Sequence, residues 1–308
     1  MNKRVLFLIT ERAYLPELSA YKEYFKKKGY KVDIKNEKDK IKEEYDIVWK
    51  FIGRDLGIRL NKKYFLIHDY KSDSTGSFLK IKNFIKKYFT KKPNLRIFLN
   101  QDLKNKFNFK DNVPSTIIDM GVHKNFLEKN KSSNEIKYKF VYCGSISYVR
   151  EVDKILDWFL KQNLFQEKFL LIGEPQKEIF EKYKSYENIV FKGRIDYLKI
   201  HLLLDQCEYA FNHIPNMSPY KDQTPTKFLE YSAKNLKIVS SRTPWIEKFI
   251  SQNNCKTYLY SNIDELTLKS IEEFHYKNIS MIDYEWDKII EKSNIDMYLA
   301  KEFENEKK

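Results

Sequence analysis

The hydrophobic positions of this chain alternate between short uninterrupted apolar runs and longer stretches with helical spacing. Val5–Ile9 (VLFLI) has no polar interruption, the signature of a strand covered on both faces. Glu17–Lys28 has helical periodicity and is stopped by Gly29. Lys31–Ile34, Asp46–Trp49 and Tyr64–Ile67 are further strands. Ser77–Phe89 puts Phe78, Ile81, Phe84, Ile85 and Tyr88 on one side of a basic amphipathic helix. Leu95–Leu99 and Ser115–Ile118 are strands around a helix near Gln101–Phe107. Regular alternation of strand and helix predicts a parallel sheet with helices on both faces.

Between Glu128 and Ile136 the pattern gives way to EKNKSSNEI, which reads as a linker. The alternation then restarts. Strands are predicted at Lys139–Tyr142, Lys168–Ile172, Asn188–Phe191, Cys207–Phe211 and Thr257–Tyr260. Helices are predicted at Arg150–Leu160, Pro175–Tyr183, Asp196–Leu204, Ile263–Phe274 and Tyr284–Phe303. Two doubly wound domains would place a ligand at the carboxyl ends of their strands, between the domains.

One stretch carries the most chemistry: DQTPTKFLEYSAKNLKIVSS, Asp222–Ser241. Thr224 is an apt N-cap and Pro225 suits the first helical position. The free amides of a helix start form an anion site. Thr226, Lys227 and Glu230 share one helix face. An anion at the helix start, with a carboxylate one turn deeper, suits a nucleotide whose hydroxyls lie beyond its phosphates.

Composition narrows the partner. A net charge of +14, carried mostly by Lys, favours something acidic: a phosphorylated substrate, an anionic membrane surface or nucleic acid. No nucleic-acid-binding motif is recognisable, so nucleic acid is not expected. Cys143, Cys207 and Cys255 are widely spaced, with neither metal nor disulfide spacing, which favours a reducing, cytoplasmic compartment. The apolar run in MNKRVLFLIT is too short for a signal peptide, and no run reaches membrane-spanning length. A soluble protein, peripheral at the inner face of the cell membrane, is therefore expected, with Phe78–Tyr88 a candidate for lipid contact.

Four segments, in order, resemble glycosyltransferase family 4, whose members have the GT-B fold. They are IIDMGVHKNF (Ile117–Phe126), FVYCGSI (Phe140–Ile146), FLLIGEP followed by NIVFKGRIDYLKIHLLL, and PTKFLEYSAKNLKIVSS. YEWDKI (Tyr284–Ile289) is similar to the place where family members cross back to their first domain. The resemblance implies an α/β protein of two Rossmann-like doubly wound domains. Residues 1–130 would bind the acceptor, 137–285 the nucleotide-sugar donor, and the helix at 286–308 would return to the first domain.

The resemblance also implies roles. Glu230 would bind the ribose hydroxyls, and Asp222, where the family has Glu, the donor sugar. Thr224 and Thr226 lie in the segment that brings backbone amides to the diphosphate. Lys227, Gly144, Ser145 and Arg150 would surround the same group, with Ser145 standing where the family usually has Arg. Gly193, Arg194 and Ile195 would face the base. His68 and Asp69, taken to follow a strand and point into the crevice, are candidates for the donor sugar and the acceptor hydroxyl. His123 reads as structural, and His213 as a sugar contact or a loop brace. The implied reaction is retaining transfer from a nucleotide-diphosphate sugar to a glycan or lipid-linked acceptor. It would need no divalent metal or other cofactor, and it suits synthesis of bacterial surface polysaccharide. The departures at Ser145 and Asp222 leave a second reading, a GT-B-like protein such as an epimerase or an inactive partner.

Overall fold

A computed structural model describes residues 3–10, 15–51, 63–71, 90–128, 135–217, 220 and 223–305. The predicted helix Ser77–Phe89, most of the loop Thr10–Pro16 and Asp222 lie outside the described residues. The chain divides into two compact units, Met1–Gly121 with Tyr284–Lys308, and Val122–Asp283.

In the first unit, strands β1 (Arg4–Ile9), β2 (Lys31–Asn36), β3 (Ile47–Phe51), β4 (Phe65–Tyr70), β5 (Leu95–Phe98) and β6 (Ser115–Ile117) form one parallel sheet. Their order is β2-β1-β3-β4-β5-β6. The apolar runs become the central strands because both faces are covered: Val5 to Leu8 and the whole of β3 are buried. Helix α1 (Glu17–Lys27) lays Tyr21, Tyr24 and Phe25 on one face, where Tyr21 and Phe25 meet Phe7 and Trp49. Helix α2 (Gln101–Phe107) begins at Asn100, whose side chain accepts from the Leu103 amide at 2.8 Å.

The second unit holds β7 (Tyr138–Cys143), β8 (Phe169–Ile172), β9 (Ile189–Phe191), β10 (Cys207–Asn212), β11 (Lys237–Ser241) and β12 (Tyr258–Tyr260). They form another parallel sheet, ordered β12-β11-β10-β7-β8-β9. The connecting helices are α3 (Lys124–Leu127), α4 (Val152–Lys161), α5 (Lys177–Tyr183), α6 (Tyr197–Leu204), α7 (Thr226–Ala233), α8 (Pro244–Asn253) and α9 (Leu268–Glu272). Phe140, Trp158, Phe169 and Phe211 form the centre of the core. In each sheet the winding direction reverses once, between β1 and β3 and between β7 and β10. At such a point the loops leaving two neighbouring strands diverge and open a binding hollow.

The predicted helix at Tyr284–Phe303 is two helices, α10 (Trp286–Lys292) and α11 (Ile295–Asn305). Asn294 takes a left-handed conformation (φ 56°), and Ser293 Oγ donates to the Ile290 carbonyl while accepting from the Ile295 amide. A short polar pair that caps its own backbone therefore ends one helix and starts the next. Both helices belong to the first unit: Tyr24 Oη donates to Asp296 at 2.7 Å, and Thr116 Oγ1 to the Ser293 carbonyl at 2.7 Å.

Candidate functional site

The loops at the reversal point of the second sheet hold most of the residues the sequence singles out. Strand β7 ends at Cys143 and passes through Gly144, whose φ of +132° favours glycine. A β-carbon on Gly144 would also lie 2.5 Å from Lys227 Nζ, so the ammonium rests directly against this turn. Lys227 Nζ donates to Tyr142 Oη at 3.1 Å and lies 4.3 Å from that ring's centroid. Ser145 is exposed, and its carbonyl accepts from Tyr142 Oη at 3.1 Å.

Helix α7 begins at Thr226, with Pro225 in the capping position. The expected start is therefore displaced by one residue, and the cap is not Thr224. Pro225 has an extended backbone (ψ 100°), which takes it out of the helix. Thr224 is buried and Thr226 half-buried in the first turn.

One turn further, Glu230 is 5% exposed and faces the end of β7. Its charge, with that of Lys227, is felt at Cys143. Burial pushes the Glu230 carboxyl up to about 7, against the pull of a hydrogen bond from Tyr197 and of the Lys227 charge. A buried carboxyl near its titration point, beside an ammonium and a glycine turn, suits recognition of hydroxyl groups next to an anion.

The neighbouring strand ends pack against the same turn. The Gly173 amide donates to the Gly193 carbonyl at 2.8 Å, and a β-carbon on Gly173 would overlap the Gly144 carbonyl. The turns after β7, β8 and β9 thus pack backbone to backbone. Arg194 is exposed and Ile195 half-buried on the turn that leads into α6. Arg150 lies in a single 3-10 turn, Tyr148–Arg150, ahead of α4, and not in the helix predicted for it. Glu151 breaks the two apart with a left-handed backbone, φ 52°. The Arg150 guanidinium stacks 3.8 Å from the centre of the Tyr220 ring.

His213, just past β10, is a brace. Its Nδ1 lies 2.6 Å from Tyr260 Oη and its Nε2 3.0 Å from Glu151 Oε2. Burial lowers the His213 pKa, opposed by Glu151. His123 caps α3, its Nδ1 accepting from the Asn125 amide at 3.3 Å.

His68 and Asp69 are placed differently from the expectation. Both lie inside β4, which runs three residues past the predicted end at Ile67, and each is 1% exposed. Consecutive strand residues point to opposite faces, so the two cannot converge on one ligand. Asp69 shares the α1 face, accepting from Trp49 Nε1 at 3.0 Å, and lies 3.5 Å from Lys71 Nζ. His68 shares its face with Lys50, its register partner on β3.

Sequence reasoning named His213 as a possible brace but missed its partners Glu151 and Tyr260, as well as Tyr142, Tyr197 and Tyr220. None of these carries a local signal, since Glu is not a residue type that favours the left-handed backbone Glu151 adopts. The tyrosines act on partners far along the chain, which no local pattern announces.

No protein-family model and no curated protein matches this chain, but solved structures do. A structure of Alr3699/HepE from Anabaena in complex with UDP and glucose matches with a TM-score of 0.62 and 12% identity, over 99% of each chain. Sucrose-phosphate synthase from Thermosynechococcus elongatus matches at 0.63 and 10%, over 97% of this chain and 94% of that one. A glycosyltransferase from Rickettsia africae matches at 0.59 and 12%, over 98% and 97%. Together with the two parallel sheets, these likenesses define the class: the chain has the GT-B fold.

Proposed function

We propose that the chain is a retaining glycosyltransferase that moves a sugar from a nucleotide-diphosphate sugar to a glycan or lipid-linked acceptor. The observation that carries this reading is Glu230, buried one turn inside α7 and near both Cys143 and the Lys227 ammonium that rests against the Gly144 turn. That the Anabaena protein holds UDP and glucose in the same fold supports it.

In this reading Glu230 accepts hydrogen bonds from the ribose hydroxyls. Lys227, Arg150 and the amides at the start of α7 meet the diphosphate charge as the bond to the anomeric carbon breaks. The departing phosphate helps to deprotonate the acceptor hydroxyl on the same face, so configuration is retained and no step is routed through a metal. Gly193, Arg194 and Ile195 line the base, and Asp222 meets the donor sugar. Synthesis of bacterial surface polysaccharide at the inner face of the cell membrane is the proposed setting.

A thermal-shift panel of uridine-, guanosine-, adenosine- and cytidine-diphosphate sugars tests the donor site. One base class is expected to raise the melting temperature, and Glu230→Gln to lose most of that rise. No shift with any of the four, or an unchanged shift in the variant, overturns the reading.

A further inference from the structure

The Lys227 ammonium rests against the Gly144 turn and is tied to Tyr142. The geometry points to a pre-set cation: we propose that Tyr142 is the residue that positions Lys227 for the donor diphosphate. The inference rests on the donor-site reading above and adds how the diphosphate is gripped.

Three observations carry it. First, the Lys227 side chain fills the space that a β-carbon on Gly144 would need. The ammonium therefore sits on the turn itself, beside the exposed Ser145. Second, the Tyr142 hydroxyl has one defined arrangement. An ammonium has no lone pair, so Lys227 Nζ must donate to Tyr142 Oη at 3.1 Å. The hydroxyl hydrogen is then free to go to the Ser145 carbonyl, also 3.1 Å away. One hydroxyl thus joins the turn to the cation. Third, Tyr142 is fully buried on β7, so its ring cannot swing aside, and the ammonium also lies 4.3 Å from the ring centroid. A long flexible Lys is thereby held near one geometry before any ligand arrives, which removes ordering cost from binding.

The backbone angle already favours glycine at position 144, and the same position bears on the cation. Any side chain there would displace the Lys227 ammonium from the turn.

The test is isothermal titration of the nucleoside diphosphate selected by the donor panel, alongside the matching nucleoside without phosphates. Tyr142→Phe keeps the ring and removes only the hydroxyl. It is expected to weaken nucleoside-diphosphate binding about tenfold, the effect of one hydrogen bond to a charged group, and to leave nucleoside binding unchanged. Lys227→Met is expected to lose at least as much. Ser145→Arg added to Lys227→Met is expected to restore most of the loss, because it returns the charge to the turn. Equal weakening of nucleoside and nucleoside diphosphate in Tyr142→Phe would make the tyrosine merely structural and overturn the proposal. So would wild-type affinity in Tyr142→Phe, or absence of rescue by Ser145→Arg. If the wild-type protein binds no nucleoside diphosphate at all, it is the donor-site reading that fails.

Discussion

Glu17 opens α1 in the first unit and is 2% exposed, an unusual place for a carboxylate. Around it lie Lys71, Asp69 and Tyr21, with Asp119 near enough to act on Tyr21. Lys71 gives its hydrogens to Tyr21 Oη at 2.8 Å and the Ile118 carbonyl at 2.9 Å, and stands 3.5 Å from Asp69. Burial pushes the Glu17 carboxyl up to about 7, with Lys71 pulling the other way and Asp69 adding to the rise. The folded state therefore holds the Glu17 proton more tightly than the unfolded chain does. Its stabilising contribution is complete below the unfolded value of 4.5 and is lost as pH rises through about 7. Glu17→Gln imitates the protonated form. It is expected to be more stable than wild type at pH 8, by up to about 3 kcal/mol, with the gap closing toward pH 5. Urea unfolding at both pH values measures this, and a gap independent of pH would sink it. Nothing in ELSAY announces this burial. The sequence reads Glu17 as an ordinary acid favouring a helix start, because what surrounds it arrives from strand ends far along the chain. Glu230 was legible because helix periodicity alone puts it on one face with Thr226 and Lys227.

At the scale of elements, the strands were easier to read than their ends. Fully buried parallel strands announce themselves as apolar runs, and every strand predicted from such a run is present, shifted by a few residues. The ends follow turn chemistry. β4 extends through His68 and Asp69, paired in register with Lys50 and Phe51 of β3, and the Asp69 carboxylate accepts from Trp49 Nε1. α4 starts after Glu151 because that residue turns left-handed. The glycine turns after β7 and β8 depend on each other in a way that no local pattern conveys. Gly173 has a φ of +146°, and a β-carbon there would overlap the Gly144 carbonyl, a rigid backbone group. Gly173→Ala must push β7 and β8 apart at the proposed donor site. The expected cost is about 3 kcal/mol, the upper range for forced overpacking, together with loss of the donor-induced thermal shift. Urea denaturation and the donor panel measure the two effects. Near-wild-type stability would show that the close approach of the two turns is dispensable.

At the scale of the whole molecule, the doubled architecture was legible because the alternation of strand and helix restarts after Glu128–Ile136. The partner of its charge was not, because +14 states a sign and not a surface. Among the described residues no helix is long and apolar enough to cross a membrane. Each Lys near an anionic surface contributes about 1 kcal/mol, and the attraction fades within a Debye length of roughly 8 Å at physiological salt. The proposed lipid-linked acceptor would make such attraction useful, since it would keep the protein at the surface that holds that acceptor. The basic aromatic stretch Phe78–Tyr88 concentrates this chemistry in the sequence, with lysines interleaved among Phe and Ile. Sedimentation with phosphatidylserine-containing vesicles is therefore expected to carry the protein down at low salt and release it at high salt. Replacing Lys80, Lys82, Lys86 and Lys87 together by Gln should weaken binding more than four such changes at exposed lysines among the described residues. Failure to sediment at low salt would remove the membrane from the proposed setting. Equal loss from both quadruple variants would assign the attraction to the net charge of the protein and not to this segment.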